Sequence, residues 1–332
     1  MKDYLDCVEH GAQIIIRNWM KLKGQDKLLI VTGNKYTLEA SLLKKSALKE
    51  KTAVDIMAVE KAGMHVGVFF DENERVFDDY NVIIGATDYS LVTTRAAKRA
   101  IDRGSKFLSL PLSVRNGKSM LSYDFIRMDT KKSKMMAGII MKYIRNSSML
   151  QIVTKAGTNL KVYKQNRTPG FFNGVVNDGG GYSSASFEVY VPIEETKTEG
   201  TMIVDGSLGY IGRPKEPIRI KIFQGKIKEI EDNKSGIILK KYIEEYQDSS
   251  MYVASEFGIG LNSYSKCKGN CYIEDESAYG TFHIGFGRNI ALGGVHEASG
   301  HFDLVCLDPD IYADNRKIMH QGRIIVPEPQ VF

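Results

Sequence analysis

Histidines and acidic residues of the C-terminal half have types and spacings typical of a metal site. His301-x-Asp303 is the sharpest pattern, because residues two apart on a strand point to the same face, so an imidazole and a carboxylate converge. His283 lies in the strand-like TFHIGFG, where glycine neighbours allow a close approach. Glu256 opens EFGIGLN and is expected to leave a tight, glycine-rich turn. Together these residues predict a divalent-metal site.

Two further acids have a functional and an ordinary interpretation. Glu188, in ASFEVYVP, is either a ligand or an outward charge on an alternating strand. Glu276, in EDES, is either an acid that moves protons between water and a leaving group or a solvated loop residue. Each histidine taken alone also fits an ordinary core or surface position.

The cysteines do not predict a disulfide framework, because they are few and unevenly placed: Cys7, Cys267, Cys271 and Cys306. Cys267 and Cys271 enclose KGN and would suit a zinc ion or a redox pair. No second Cys/His pair stands at finger spacing, which favours two reduced thiols in a loop.

Residues 1–130 predict an α/β domain, a parallel sheet flanked by helices. Short apolar runs alternate with helical patterns, as expected for strands that are covered on both faces. The predicted strands are 28–32, 53–59, 66–70, 81–87 and 106–112, and the predicted helices include 37–48 and 93–103. No G-x-G-x-x-G follows the first strand, so no dinucleotide cofactor is expected.

Residues 131–150 predict a linking helix, and residues 151–332 predict a β-rich α+β domain that carries the metal site. Short alternating strands are punctuated there by Gly, Asn and Pro. KSGIIL is interpreted as one of these strands, a helix is expected over 240–248, and FQGKIKEIED predicts a hairpin with a tight Gly-Lys turn.

Composition excludes several classes of protein. The 332 residues carry a net charge of +5, but basic residues are mixed with acids, so nucleic acid is not an expected partner. No apolar run reaches the roughly 18 residues of a membrane span. The acidic N-terminus is unlike a signal peptide, and a cytoplasmic location is expected.

Four segments resemble, in order, the signature segments of the thermophilic leucyl aminopeptidase family, also called aminopeptidase T. They lie within residues 150–305: ASFEVYVP, EFGIGLN, DESAYGTFHIGFGRN and GHFD. The resemblance implies that five residues hold a pair of divalent ions, zinc, cobalt or manganese: Glu188, Glu256, His283, His301 and Asp303. It also implies a homo-oligomer.

In such a site the two ions generate hydroxide and polarise a scissile carbonyl, with Glu256 or Glu276 as the proton-transferring residue. The favoured hypothesis is therefore a metal-dependent hydrolase that removes N-terminal residues from small peptides or peptide-like amides. One departure bears on this activity: Ile290 stands where the family has a tyrosine, for which Tyr182 or Tyr279 would have to substitute.

The chain is also similar to a shorter branch, the 2,5-dihydroxypyridine dioxygenases, which use non-haem Fe(II) to open a pyridine ring. That resemblance implies the same H-x-D pair, but a His and a Ser where this sequence has Glu256 and His283. Ligand types thus favour hydrolysis, and chain length favours the dioxygenase. A further alternative is a non-catalytic binding protein on the same scaffold.

Overall fold

The computed structural model describes residues 2–60 and 67–327. The helices are α1 Lys2–Ile14, α2 Thr37–Lys49, α3 Gly67–Glu72, α4 Arg95–Asp102, α5 Thr130–Arg145, α6 Lys234–Glu244 and α7 Tyr272–Ser277. The strands are β1 Lys27–Gly33, β2 Ala53–Val59, β3 Val82–Ala86, β4 Lys106–Ser109, β5 Met149–Val153, β6 Asn159–Tyr163, β7 Gly170–Asn173, β8 Gly181–Ser184, β9 Phe187–Pro192, β10 Glu199–Val204, β11 Ile218–Phe223, β12 Lys226–Ile230, β13 Ala254–Gly260, β14 Thr281–Gly287, β15 His301–Leu307, β16 Asp310–Ala313, β17 Arg316–His320 and β18 Arg323–Ile324.

The chain forms two compact units. The first takes in residues 1–130 and Phe172–Ser186, and the second takes in Lys131–Phe171 and Phe187–Phe332. The segment Phe172–Ser186, which the sequence analysis placed in the β-rich part, supplies strand β8 to the first unit.

The first unit is built on a parallel sheet with strand order β2-β1-β3-β4-β8. The residues of β3 and β4 are all buried, as expected for a parallel sheet covered by helices. Helix α2 packs on β1 and β2, and α4 packs on β4. The predicted fold class, an α/β part followed by a β-rich part, is confirmed.

The strand predicted over 66–70 is wrong. Gly67–Glu72 forms helix α3, and Val66 lies outside the described residues. A short apolar run does not separate a strand from a buried helical turn. Only Phe70 of this helix is buried, and its ring stacks against Phe77 with the ring centroids 5.3 Å apart.

The strand predicted for KSGIIL is also wrong, because this segment begins helix α6. Asn233 caps the helix, its side chain accepting a hydrogen bond from the Gly236 N–H. Leu239 and Ile243 are four residues apart on the buried face. The helix therefore begins and ends earlier than the predicted 240–248.

The second unit contains antiparallel strands in the orders β12-β11-β10-β6-β5-β16-β17-β18 and β15-β14-β13-β9. Strand β7 is the fifth strand of the latter sheet, and its last two residues belong to the first unit. The hairpin between β11 and β12 is confirmed, but its turn is one residue earlier than predicted. Gln224 and Gly225 have φ values of 50° and 75°, the backbone of a two-residue turn with positive φ at both positions. Among the described helices, none has the length and apolar character needed to cross a bilayer.

Candidate metal centre

The site lies on four neighbouring strands of the sheet β15-β14-β13-β9-β7. Three of these strands supply one side chain each, and β15 supplies two. They are Glu188 on β9, Glu256 on β13, His283 on β14, and His301 and Asp303 on β15. Positions two apart on β15 share a face, as predicted for His301-x-Asp303. Glu256 stands within a strand, so the prediction that it leaves a tight turn is wrong.

A glycine stands opposite each of these five residues on the next strand. The register pairs Glu188 with Gly260, His283 with Gly258, Glu256 and Asp303 with Gly285, and His301 with Gly287. A Cβ atom at Gly258 would lie 2.0 Å from His283 Nε2, and one at Gly285 would lie 2.8 Å from Asp303 Oδ1. Gly258 thus leaves space for the His283 imidazole, and Gly285 leaves space for Glu256, His301 and Asp303.

The five side chains converge into two overlapping groups of candidate metal ligands. In one, His301 Nε2 lies 3.0 Å from Glu256 Oε2 and 3.2 Å from Asp303 Oδ1. In the other, His283 Nε2 lies 2.9 Å from Glu188 Oε2, and Glu256 again takes part. The two groups together are called the carboxylate–imidazole cluster below.

Burial makes this concentration of acids costly. Glu256 is 4% exposed, and burial together with the carboxylates of Asp303 and Glu188 raises its pKa against the opposing effect of His301. Burial alone would lower the pKa of His283, but the adjacent Glu188 carboxylate outweighs it and raises that pKa to about 9. The protein holds this charge best when a cation is shared among the carboxylates.

Glu276 joins the cluster from helix α7, which packs on β9, β13, β14 and β15. Burial, followed by the charges of Glu188, Asp303 and Glu256, raises its pKa well above the usual range. Its Oε2 atom is buried and finds no hydrogen-bond partner within residues 2–60 and 67–327. Glu276 is therefore not a solvated loop acid.

Two groups that the sequence analysis missed orient the ligands of β15. The Tyr272 hydroxyl donates a hydrogen bond to Asp303 Oδ2. His301 Nδ1–H donates to the carbonyl of Arg288 at 2.9 Å, which directs Nε2 toward the cluster. Tyr272 stands four residues before Glu276, one helical turn away, and that spacing was the only signal in the sequence.

The proposed substitutes for a tyrosine at Ile290 have other surroundings. Tyr279 is 37% exposed, and its hydroxyl oxygen accepts a hydrogen bond from the Ile324 N–H at 3.1 Å. Tyr182 packs in the first unit beside Phe172, with ring centroids 5.5 Å apart.

Cys267 and Cys271 are free thiols, and burial raises the pKa of each. Neither belongs to a group of candidate metal ligands in the part of the chain that the structure describes.

The cluster has the chemistry of a divalent-metal site. Three carboxylates and two imidazoles suit the first-row transition metals. The buried His283 Nδ1 atom has no hydrogen-bond partner among the described residues, and the glycines keep the interior of the cluster open. The residues present therefore fit a metal such as Fe(II), zinc or manganese.

Comparison with known families decides between the two resemblances. The family model NicX, described as 2,5-dihydroxypyridine 5,6-dioxygenase, matches residues 90–326. The chain belongs to this dioxygenase family. The matched span includes the whole carboxylate–imidazole cluster and Glu276.

Single relatives agree with the family match. The 2,5-dihydroxypyridine 5,6-dioxygenase of Pseudomonas putida KT2440 is 27% identical over 148 residues, which span 40% of this chain and 41% of that protein. The alignment thus spans about two-fifths of the relative's length. In fold, the chain is similar to the 2,5-dihydroxypyridine dioxygenase structure from P. putida KT2440, with a TM-score of 0.79, 16% identity and 97% coverage of both chains.

The chain is also similar in fold to wild-type AmpT from Thermus thermophilus. The TM-score is 0.65 and the identity 15%, with 97% of this chain and 99% of that chain covered. The predicted metallo-aminopeptidase activity is nevertheless wrong. The family match and the curated relative both indicate an oxygenase, and the likeness to AmpT extends to the fold alone.

Proposed function

We propose that this protein is a non-haem Fe(II) dioxygenase that opens a dihydroxypyridine ring between positions 5 and 6. The family match over residues 90–326 carries the proposal, because that span contains the buried carboxylate–imidazole cluster. In this reaction both atoms of O2 enter one organic product, and no water-derived nucleophile is needed.

We place the iron at Glu256, His301 and Asp303. Two of these residues have outer partners that fix a ligand atom toward the cluster: the Arg288 carbonyl for His301 and the Tyr272 hydroxyl for Asp303. Ferrous iron held there would supply the electronic path by which the electron-rich ring reacts with O2.

The remaining residues of the cluster complete its charge and its enclosure. Glu188 holds the His283 imidazole at 2.9 Å, and both side chains are buried. All residues of β13 and β14 are buried as well, so these strands keep bulk water from the candidate ligands that they carry.

Anaerobic reconstitution with Fe(II) tests the function. Addition of 2,5-dihydroxypyridine and O2 is expected to consume one O2 per molecule of substrate, with loss of the aromatic absorbance. Two labelled oxygen atoms are expected in the product when 18O2 is used. Turnover under argon, or a lack of O2 uptake by fully iron-loaded protein, contradicts the proposal.

A matched pair of histidine variants tests the iron site. His301→Ala is expected to lose bound iron and to lower O2 uptake by at least about a hundredfold. It removes a proposed ligand that the Arg288 carbonyl holds in orientation. His320→Ala is the control, since this half-exposed imidazole is paired with Asp310 away from the cluster. Equal activity in the two variants would refute this placement of the iron.

The assembly expected from the resemblance remains a proposal. A homo-oligomer predicts a molar mass in light scattering that is a multiple of 37.2 kDa.

A further inference from the structure

Tyr272 is a buried aromatic residue in direct contact with a proposed iron ligand. It begins helix α7 and is 8% exposed. Its hydroxyl donates to Asp303 Oδ2, while the other carboxylate oxygen, Oδ1, faces His301 Nε2 at 3.2 Å. The two oxygens of Asp303 therefore have different surroundings: one is held by the protein, and the other points into the cluster.

The Tyr272 ring is held in place by a second aromatic residue. Tyr210 stacks on it with ring centroids 4.2 Å apart and an interplanar angle of 19°. The segment that carries Tyr210 comes close to β15 at Gly209, which has a φ of 57° and where a Cβ atom would lie 2.9 Å from the Asp303 carbonyl oxygen. A glycine is required at this point both for the backbone conformation and for the close approach.

We propose that Tyr272 is a positioning residue that keeps Asp303 a one-oxygen ligand. A carboxylate can bind a metal through one oxygen or through both. With Oδ2 engaged by the tyrosine hydroxyl, Asp303 would present Oδ1 to a metal, which would leave an open position for substrate or O2. Outer hydrogen bonds of this kind set ligand orientation and metal affinity. The inference rests on the proposed function only for the identity of the metal and the use of the open position.

Tyr272→Phe is the direct test, because it removes the hydroxyl and keeps the stacked ring. Co(II) is the probe, since its visible spectrum reports coordination number and its affinity is measured without turnover. We expect Tyr272→Phe to bind Co(II) at least about tenfold more weakly, with a changed visible spectrum. In the Fe(II) protein we expect kcat to fall while KM for 2,5-dihydroxypyridine changes little.

Tyr246→Phe is the matched control. Tyr246 is also 8% exposed, its hydroxyl is hydrogen-bonded to the Tyr242 hydroxyl at 2.9 Å, and its ring packs against Phe302. Phe302 stands between the two ligands of β15, so this variant also loses a buried hydroxyl next to the same strand. We expect it to keep the affinity and the spectrum of the unmodified protein.

Unchanged Co(II) affinity and spectrum in Tyr272→Phe would overturn the inference. If that variant does not fold, Tyr210→Ala serves instead, because it frees the Tyr272 ring without touching a ligand, and the same spectral change with weaker binding is expected. The two proposals fail separately. Metal binding without O2 uptake in the unmodified protein refutes the dioxygenase, whereas an active dioxygenase whose Tyr272→Phe variant binds metal normally refutes only the role of Tyr272.

Discussion

A glycine opposes every residue of the carboxylate–imidazole cluster, and Gly285 stands against three of them at once. A Cβ atom there would lie 2.7 Å from His301 Cε1, 2.8 Å from Asp303 Oδ1 and 2.9 Å from Glu256 Cβ. All three residues of the proposed iron site thus lie in the space that a side chain at position 285 would occupy. Gly285 is as much a part of the site as the ligands are, although it has no atom that binds a metal.

Gly285→Ala is expected to weaken Fe(II) or Co(II) binding by at least about tenfold while leaving a folded protein. The added methyl group must push the His301 and Asp303 side chains out of their positions, because the backbone of β14 is fixed by pairing on both sides. A metal titration measures the affinity, and circular dichroism measures whether the variant is folded.

Gly138→Ala is the control for this variant. A Cβ atom at Gly138 meets no other atom within 4 Å, and the residue lies in helix α5. Alanine is expected to stabilise the helix by about 0.5–1 kcal/mol and to leave metal binding unchanged. Wild-type affinity in Gly285→Ala would show that the cluster does not depend on this space.

At the same scale, the sequence pointed to the candidate ligands better than to their surroundings. His301-x-Asp303 was identifiable because strand periodicity alone places both side chains on one face. The role of Tyr272 was not, since its partner Asp303 is 31 residues away and nothing in CYIEDES marks a contact at that distance. Glu276 remained open between two interpretations because only the packing of helix α7 shows that it is buried.

Among the elements, the segment just after strand β9 is fixed by a partly buried ion pair. Arg167 donates to both carboxylate oxygens of Glu195, at 2.9 and 2.7 Å, and Asn289 donates to the same carboxylate at 2.8 Å. Burial by itself would raise the pKa of Glu195, but these hydrogen bonds outweigh it and lower the pKa to about 2. The pair fixes the segment that follows β9, the strand of Glu188.

This pair predicts a pH dependence of stability. Because the folded pKa of Glu195 lies below its ordinary value of 4.5, the stabilisation is present above about pH 5 and is lost as the pH falls toward 2. It amounts to at most about 3 kcal/mol. Glu195→Gln is expected to lower the free energy of unfolding at pH 7 and to flatten its decline between pH 5 and 2, measured by urea unfolding across that range.

Glu229→Gln is the matched control on strand β12. Glu229 pairs with Lys221 at 2.7 Å, but both side chains are more than half exposed, so solvent screens the interaction. This variant is expected to lose stability between pH 5 and 2 as steeply as the unmodified protein does. An equally steep loss in Glu195→Gln would show that other groups cause the pH dependence of stability.

For the elements, sequence patterns succeeded where the segment itself marks the strand or turn. They failed where the deciding contact lies outside the segment or the segment is too short. Strands β1 to β4 and the hairpin of β11 and β12 were predicted, since apolar runs and a glycine turn marked them. Helix α3 has one buried residue, too few to show a period, and α6 depends on a cap at Asn233 that KSGIIL does not include. Strand β8 is four residues long and pairs with β4, which is distant in sequence. Its sequence pattern is therefore too short to indicate a strand, and nothing in it indicates the sheet to which the strand belongs.

For the molecule as a whole, the ligand set did not decide the reaction. Carboxylates and imidazoles bind zinc, manganese and iron alike, so the same cluster is compatible with hydrolysis and with oxygen chemistry. The four matching segments therefore favoured an aminopeptidase on the strength of ligand types. Only the family match over most of the chain separated the two, which shows that ligand identity locates a metal centre without naming its chemistry.

The whole chain carries a net positive charge, yet its candidate metal centre has an excess of buried acidic residues. Burial and then the carboxylates of Asp303 and Glu188 raise the pKa of Glu256, and burial and the same two carboxylates, with Glu256, raise the pKa of Glu276. His283 and His301 face these carboxylates, and an imidazole whose Nε2 atom binds a metal is neutral. A divalent ion would balance the remaining charge in the folded state and would have no comparable site in the unfolded chain.

Metal binding is therefore expected to stabilise the protein by mass action. At a free metal concentration about a hundred times the Kd, the gain is about 2.7 kcal/mol, which raises the Tm of a chain of this length by roughly 4 °C. Chelation is expected to reverse the shift, measured by differential scanning calorimetry. Asp303→Asn is expected to abolish it, whereas Asp310→Asn, a change in a carboxylate outside the cluster, is expected to retain it.

Trp19, the only tryptophan, is buried in the first unit, so its fluorescence follows that unit alone. A metal-dependent shift seen only in the Trp19 signal, or one that survives Asp303→Asn, would place the ion elsewhere and contradict the proposed site.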